Sequence, residues 1–300
     1  MLFYKDYFEK FCGFFLSEFV EKINFWHMKR FIFILSALLF LISSTFADGK
    51  IVVSSYPWQK VTIEEMLADF NKMGFDKVSM FQNMKLGGNG KYAKAVFRYN
   101  MSKEARAEAK AMFEKAKVKV VSIGHIYLDN ENEIRKLFEF AKYFGIEVMT
   151  VEAQPNTLSI YDKLSKEYGV KCGLYNHPNS NKPKFPYGTP EKMLSAINGK
   201  EVLRAFPDCG HWGRSNFDIV ECAKKLRGKM IAVNVQNLAP DMNCEEYSKG
   251  RLPIKKFVEE LKAGGFNGYY IVMFNKAPDR SQIDKVLPSV KFLESCGVKR

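Results

Sequence analysis

The chain has few of the residues that multinuclear metal centres and disulfide scaffolds need. It contains 300 residues, of which four are histidines and six are cysteines. Three of the histidines and five of the cysteines lie beyond residue 47. An odd number of irregularly spaced cysteines does not form a disulfide framework, and three histidines are too few for a multinuclear zinc centre. The composition therefore argues against both a disulfide scaffold and a zinc-cluster enzyme.

The apolar run of residues 31–42 is too short for a membrane helix, which needs about 20 apolar residues. Met28, Lys29 and Arg30 precede this run, and small residues follow it up to Ala47, a pattern typical of a secretory signal peptide. We predict a signal peptide at 28–47 and an exported mature chain, periplasmic or extracellular, without stable membrane insertion. Residues 1–27 are interpreted as a mis-assigned leader or as an amphipathic membrane-surface segment.

The predicted mature chain is strongly basic. Of 46 Lys and Arg residues five lie in 1–47, and of 33 Asp and Glu residues four do, which leaves a balance of +12. Such a charge favours anionic partners, for example an acidic or phosphorylated sugar. The lysines are scattered along helical segments, a pattern more typical of a solvated surface than of a nucleic-acid site. We therefore expect no nucleic-acid partner.

One pattern recurs along residues 48–300. A helical stretch ends at a glycine, and a short apolar, β-branched run follows it. Such near-continuous apolar runs are typical of strands that are buried on both faces of a parallel sheet. The predicted strands are residues 51–55, 77–81, 118–123, 147–151, 171–175, 202–206, 230–235 and 269–273.

Eight strand–helix units in 253 residues predict a single α/β domain, a (β/α)8 TIM barrel, since about 250 residues are typical of that fold. The alternative is an open doubly wound sheet. A Gly-rich phosphate-binding loop usually follows the first strand of such a sheet, and the sequence after residue 55 contains none. The barrel is therefore the favoured fold.

Polar residues follow six of the predicted strands, where the barrel fold places its active site. A carboxylate can remove a proton beside a carbonyl, and an imidazole or cation can stabilise the resulting negative charge. We predict Glu152, Asp208 and His211 as catalytic residues. The predicted substrate-binding residues are His125, Asn176, His177, Trp212, Arg214, Asn234 and Lys276.

Two of these stretches resemble a known family. Asn176-His177-Pro178 and the run from Asp208 to Arg214 are similar to motifs of the xylose-isomerase-like TIM barrel family of sugar isomerases and epimerases. The resemblance covers about residues 51–293. It implies a (β/α)8 fold and the isomerisation or epimerisation of a sugar or sugar acid. It also implies one divalent cation, held by carboxylate and imidazole groups near the last four of the eight predicted strands.

The sequence departs from this pattern where the family's metal ligands are expected. Tyr175 replaces a histidine, the seventh strand ends in amides at Asn234 and Gln236, and the eighth strand carries no glutamate. Hard divalent cations prefer carboxylate oxygens, so we expect weak metal binding or none. If an ion binds, we predict Glu152, His177 and Asp208 as its ligands, and zinc, manganese, magnesium or cobalt as the metal.

The favoured function is that of an exported sugar isomerase or epimerase with a partly lost metal site. The main alternative is a non-catalytic carbohydrate-binding barrel whose metal site has decayed. A glycosidase that uses Glu152 and Asp208 as its carboxylate pair is a further alternative, and the separation of the two groups would decide its geometry. DNA repair by the apurinic-endonuclease branch of this barrel is disfavoured, because that branch needs a three-zinc cluster.

Overall fold

The structure is a computed structural model that describes residues 50–179, 185–276 and 278–300. The chain divides after Ala47, and the unit Asp48–Arg300 contains all of these residues. The predicted leader at 1–27 and signal peptide at 28–47 lie outside the described residues. Within the described ranges, the helices are too short or too polar to cross a bilayer.

Eight parallel strands form the central sheet, and each of them overlaps a predicted strand. The strands are β1 (Lys50–Ser54), β2 (Lys77–Phe81), β5 (Lys119–Ile126), β6 (Val148–Val151), β7 (Lys171–Leu174), β8 (Arg204–Ala205), β9 (Ala232–Val235) and β12 (Tyr269–Val272). The order of hydrogen-bonded neighbours is β8-β7-β6-β5-β2-β1-β12-β9. Two short hairpins, β3–β4 (Met84–Lys85, Val96–Phe97) and β10–β11 (Asn237–Leu238, Cys244–Glu245), follow β2 and β9.

The sheet closes where its two outer strands, β8 and β9, meet. Parallel bridges join Ala205 to Met230 and Asp208 to Asn234, and the backbone N–H of Asn234 donates to the carbonyl of Pro207 over 2.8 Å. Both outer strands are thereby joined, which produces the predicted (β/α)8 barrel.

Helices connect the strands and form the outer layer. They are α1 (Ile63–Met73), α2 (Lys103–Ala116), α3 (Glu131–Phe144), α4 (Leu158–Tyr168), α5 (Pro190–Ile197), α6 (Cys209–Arg214), α7 (Ile219–Lys225), α8 (Ile254–Ala263) and α9 (Val286–Ser295). The sequence marks their ends. Thr62 and Glu65 form a capping box at the start of α1, and Gly74 closes the helix with a φ of 73°. A residue with a side chain would be strained in that left-handed conformation.

The core has two layers, because successive side chains of a barrel strand point to opposite faces. Ile51 and Val53 pack in the large cluster that contains the helices, whereas Val52 packs in a smaller cluster. The smaller cluster draws on five of the barrel strands and on Phe206, so it fills the barrel interior. Its buried members are Val52, Val121, Val148, Phe206, Ala232, Tyr269 and Ile271.

Asp162 of α4 holds the segment that enters β8, the shortest barrel strand. Its carboxylate accepts the backbone N–H groups of Glu201, Val202 and Leu203 over 2.9, 2.8 and 2.7 Å. Burial alone would raise the pKa of Asp162, but these three bonds outweigh burial and lower it. We expect Asp162→Ala to lower the free energy of unfolding by about 2 kcal/mol in urea denaturation at pH 7.

Two controls distinguish this from a generic surface effect. Asp162→Asn keeps one acceptor oxygen and should lose less, whereas Asp76→Ala removes an exposed carboxylate and should change little. Because the folded pKa of Asp162 lies below its unfolded value, its contribution is complete above the unfolded pKa and is lost as the pH falls through the folded pKa. Equal losses for the alanine variants at positions 162 and 76 would contradict this assignment.

Candidate active site

The mouth of the barrel, at the carboxyl ends of the strands, contains all three described histidines. They surround Tyr175, which follows β7. The ring centroids of His125, His177 and His211 lie 4.3, 5.1 and 5.5 Å from that of Tyr175. Segments that follow or end three different barrel strands therefore bring three imidazoles to one place.

Glu152 lies between two of these imidazoles. Its Oε1 is 3.2 Å from Nε2 of His177 and 3.6 Å from Nδ1 of His125. The side chain of Glu152 is 12% exposed, and those of His125 and His177 are 17% and 23% exposed. All three groups are thus largely desolvated, yet solvent still reaches them, as a site that admits a ligand requires.

The two imidazoles also control the ionisation of Glu152. Burial would raise its pKa, but hydrogen bonds and positive charge from His125 and His177 outweigh burial and lower the pKa to about 2. At neutral pH Glu152 is therefore a carboxylate. A carboxylate with so low a pKa is a weak proton acceptor but a good anchor for an imidazole.

The backbone at His125 is strained in a way that affects its orientation. The pairing of β5 with β6 shifts register between Ile123 and Ile126, and His125 has a φ of 57°. A bulge re-aims side chains, and left-handed residues other than glycine tend to cluster at functional sites. The His125 ring stacks on Phe81 with centroids 4.3 Å apart. Lys276, which follows β12, also has a positive φ, of 78°.

Asp208 is fully buried and joins the ends of three strands. Its Oδ2 accepts from the hydroxyl of Tyr175 over 3.0 Å and from the amide nitrogen of Gln236, and its Oδ1 accepts from the backbone N–H of His211 over 3.2 Å. Burial, followed by the effect of Asp208, raises the pKa of Tyr175 well above its ordinary value, so this phenol stays a neutral donor. Asp208 therefore organises the site from within.

Three predicted substrate-binding residues are buried, and two of them have structural roles. The side-chain amide of Asn176 donates to the backbone carbonyl of Asp208 over 3.2 Å. Its oxygen accepts from the backbone N–H of Asp208 over 2.6 Å. Trp212 has no exposed surface and packs in the large core cluster. A ring that solvent cannot reach does not offer a face to a sugar in this conformation. Asn234 is 2% exposed, and its Nδ2 has no hydrogen-bond partner among the described residues.

His211 and Arg214 form the other half of the mouth. Burial lowers the pKa of His211 to about 4; Asp208 opposes this shift and Arg214 reinforces it. Nη1 of Arg214 lies 3.4 Å from Nδ1 of His211. Lys276 is more remote from this centre, since its exposed ammonium extends over the loop after β10 to Met242 and Asn243, each at 3.5 Å.

Gln236 is a site residue that was not predicted. Its Nε2 donates to Asp208, and its Oε1 accepts from Nη1 of Arg214 over 3.2 Å. The signal was present, because Gln236 directly follows β9 among polar residues where the family pattern places a metal ligand. An amide that accepts with one atom and donates with the other can link an acid to a cation.

The side chains predicted as metal ligands, Glu152, His177 and Asp208, contact protein groups at the mouth. Within residues 50–179, 185–276 and 278–300, no three His, Cys, Asp or Glu side chains are arranged to hold an ion. Both Asp208 oxygens already accept hydrogen bonds, and Glu152 faces two imidazoles. In this arrangement the predicted ligands Glu152 and Asp208 are engaged with groups of the protein. The five described cysteines are free thiols.

Solved structures with the same architecture include sugar-processing enzymes. An uncharacterized protein from Parabacteroides distasonis aligns with a TM-score of 0.67 and 26% identity over 83% of this chain and all of that chain. A D-tagatose 3-epimerase-like protein aligns with a TM-score of 0.62 and 19% identity over 82% of this chain and 96% of that one. The 3-keto-D-glucoside 4-epimerase from E. coli aligns with a TM-score of 0.63 and 16% identity over 83% of this chain and 100% of that chain.

Comparisons of sequence alone add nothing to this. No protein-family model matches the chain, and no curated protein matches it. The resemblance to the xylose-isomerase-like barrels that the motifs predicted is thus found in the three-dimensional fold. The chain has the (β/α)8 barrel fold of the solved sugar isomerases and epimerases.

Proposed function

We propose that the barrel isomerises or epimerises a small sugar or sugar acid by proton transfer beside a carbonyl. The observation that carries this proposal is the Glu152 carboxylate between His125 and His177 at the mouth of the barrel. Proton transfer at carbon needs a base held in place and a donor for the oxygen on which negative charge develops. Both kinds of group are present within one cluster of rings.

The low pKa of Glu152 indicates that an imidazole, and not this carboxylate, is the base. An efficient base has a pKa near the working pH. The pKa of Glu152, at about 2, lies far below neutral pH. An imidazole anchored by a carboxylate is a better candidate, and Glu152 faces Nε2 of His177, which leaves Nδ1 to accept the proton. Glu152 then orients His177 and stabilises the imidazolium that forms.

A buried polar atom without a partner supports a ligand site at the mouth. Nδ2 of Asn234 has no hydrogen-bond partner among the described residues. An unsatisfied buried donor costs about 1–3 kcal/mol, which a ligand oxygen would recover. The basic mature chain favours an acidic sugar, and export to the periplasm or outside the cell remains part of the proposal.

Deuterium exchange tests the proposal even though the sugar is unidentified. The protein is incubated in D2O with a panel of aldoses, ketoses and uronic acids, and 1H NMR detects loss of the proton beside the carbonyl. We expect exchange with at least one sugar, and a loss of about 100-fold in Glu152→Gln, because the variant no longer orients the imidazole that acts as the base. The measured quantity is the initial rate of exchange.

Glu147 offers a matched control at the opposite end of the same strand. It precedes β6, and its carboxylate accepts from Tyr269 and Lys119 over 2.6 Å each. Glu147→Gln should therefore keep full exchange. Sugar binding by calorimetry without exchange would favour the non-catalytic carbohydrate-binding barrel. A panel with neither binding nor exchange would contradict both functions. A glycosidase pair is disfavoured because Asp208 is fully buried with both oxygens bonded.

A further inference from the structure

The guanidinium of Arg214 is fully used by the protein, contrary to the prediction that it binds substrate. An arginine has five N–H donors, and five protein acceptors surround this one. Nε faces the carbonyl of Met242 at 3.3 Å, and Nη1 faces Gln236 and His211 at 3.2 and 3.4 Å. Nη2 faces Asn275 and Cys244 at 3.0 and 3.5 Å. No N–H group is left to bind a ligand.

All five acceptors are neutral, which is unusual for a partly buried cation. Among the described residues, Arg214 has no carboxylate within ion-pair distance. The nearest negative charge along its hydrogen bonds is that of Asp208, reached through the Gln236 amide. Arg214 thus stands as a fixed positive charge between the strand ends.

The contact with His211 determines which ring nitrogen carries the proton. A guanidinium only donates hydrogen bonds, so the Nδ1 atom that faces Nη1 at 3.4 Å must accept. An imidazole that accepts at Nδ1 is neutral and carries its hydrogen on Nε2. Nε2 of His211 has no hydrogen-bond partner within the described part of the chain. A neutral N–H donor is therefore left for a ligand.

We propose that Arg214 is a positioning residue that holds His211 in its neutral Nε2–H form, so that this imidazole, and not a metal ion, donates to the carbonyl oxygen of the sugar. The inference rests on the proposed function. When a base takes the proton from carbon, the C–H electron pair forms the C=C bond of the enediolate, and the carbonyl π electrons move to the oxygen. His211 stabilises that oxygen and keeps its proton, and the reverse step returns the proton to carbon, so no other reactant is consumed.

Long-range 1H–15N NMR of the full, uniformly labelled chain tests the inference, since it distinguishes the protonated from the bare nitrogen of each imidazole. The His211 signals are identified by their loss in His211→Gln. We expect a single Nε2–H tautomer in the wild type at pH 7, and a mixture of tautomers in Arg214→Gln. Arg251→Gln is the matched control, because Arg251 donates to the carbonyl of Gly213 on the same helix, and it should leave the tautomer unchanged.

The experiment also separates this inference from the proposed function, because a tautomer is measured without any substrate. An Nδ1–H form or a mixture in the wild type would overturn it, even if Arg214→Gln does not fold. An unchanged His211 pattern in folded Arg214→Gln would overturn it as well. A titration with MnCl2 alone tests whether a divalent ion binds at the mouth of the barrel. Selective broadening of the His177 and His211 signals would show an ion at the mouth and contradict the proposal, and we expect no such broadening.

Discussion

Replacing Asp208 with alanine is expected to lower the free energy of unfolding by about 4 kcal/mol, about a thousandfold in the folding equilibrium. Asp208 is fully buried, and its carboxylate accepts from Tyr175, Gln236 and the backbone of His211. Alanine leaves the hydroxyl of Tyr175 and the amide of Gln236 without an acceptor in the interior, at about 1–3 kcal/mol each. It also removes the cap of α6.

Asp218 supplies the matched control, because it caps the next helix, α7, but is exposed. Its carboxylate accepts the N–H groups of Val220 and Glu221 over 2.8 and 3.3 Å. Asp218→Ala should therefore cost only the cap, about 1 kcal/mol. Chemical denaturation of both variants at pH 7 measures the difference. If the two substitutions cost the same, Asp208 acts only as a helix cap and does not tie the strand ends together.

The barrel could be predicted because its signals are local. Apolar runs such as 77–81 and 269–273 are buried on both faces, and glycines such as Gly74 close the preceding helices with a positive φ. Each of these two signals covers only a few residues. It can be recognised in the sequence without knowledge of which residues pack against it. The hairpins β3–β4 and β10–β11 were not predicted, because strands of two residues carry no periodicity.

The roles of the site residues depend on contacts between distant parts of the chain. Their positions after predicted strands identified Glu152, Asp208 and His211 as a group, and the structure brings them to one mouth around Tyr175. The sequence could not show that Asp208 is enclosed, since that depends on Gln236, 28 residues further on. Nor could it show that Arg214 faces Asn275, 61 residues away. Such partners are set by the closure of the barrel.

His211 is expected to make the protein sensitive to mild acid. Its pKa is about 4 in the folded chain, below the ordinary value of 6.5 that it regains on unfolding. Between these values the unfolded chain binds the proton and the folded chain does not, so acid favours unfolding. Above pH 6.5 the titration of His211 does not affect the free energy of unfolding. As the pH falls from 6.5 to 4, the free energy of unfolding decreases. The loss amounts to about 3 kcal/mol, a few hundredfold in the folding equilibrium.

The difference between wild type and His211→Gln isolates this effect, because glutamine does not titrate. Urea denaturation from pH 7 to pH 4.5 should show stability falling more steeply in the wild type, and parallel profiles would contradict a buried neutral His211. Carboxylates with lowered pKa values, such as Glu152, lose their contributions mainly below this range. Arg214 disfavours a second positive charge beside it, so Arg214→Gln should raise the pKa of His211 and shrink the difference.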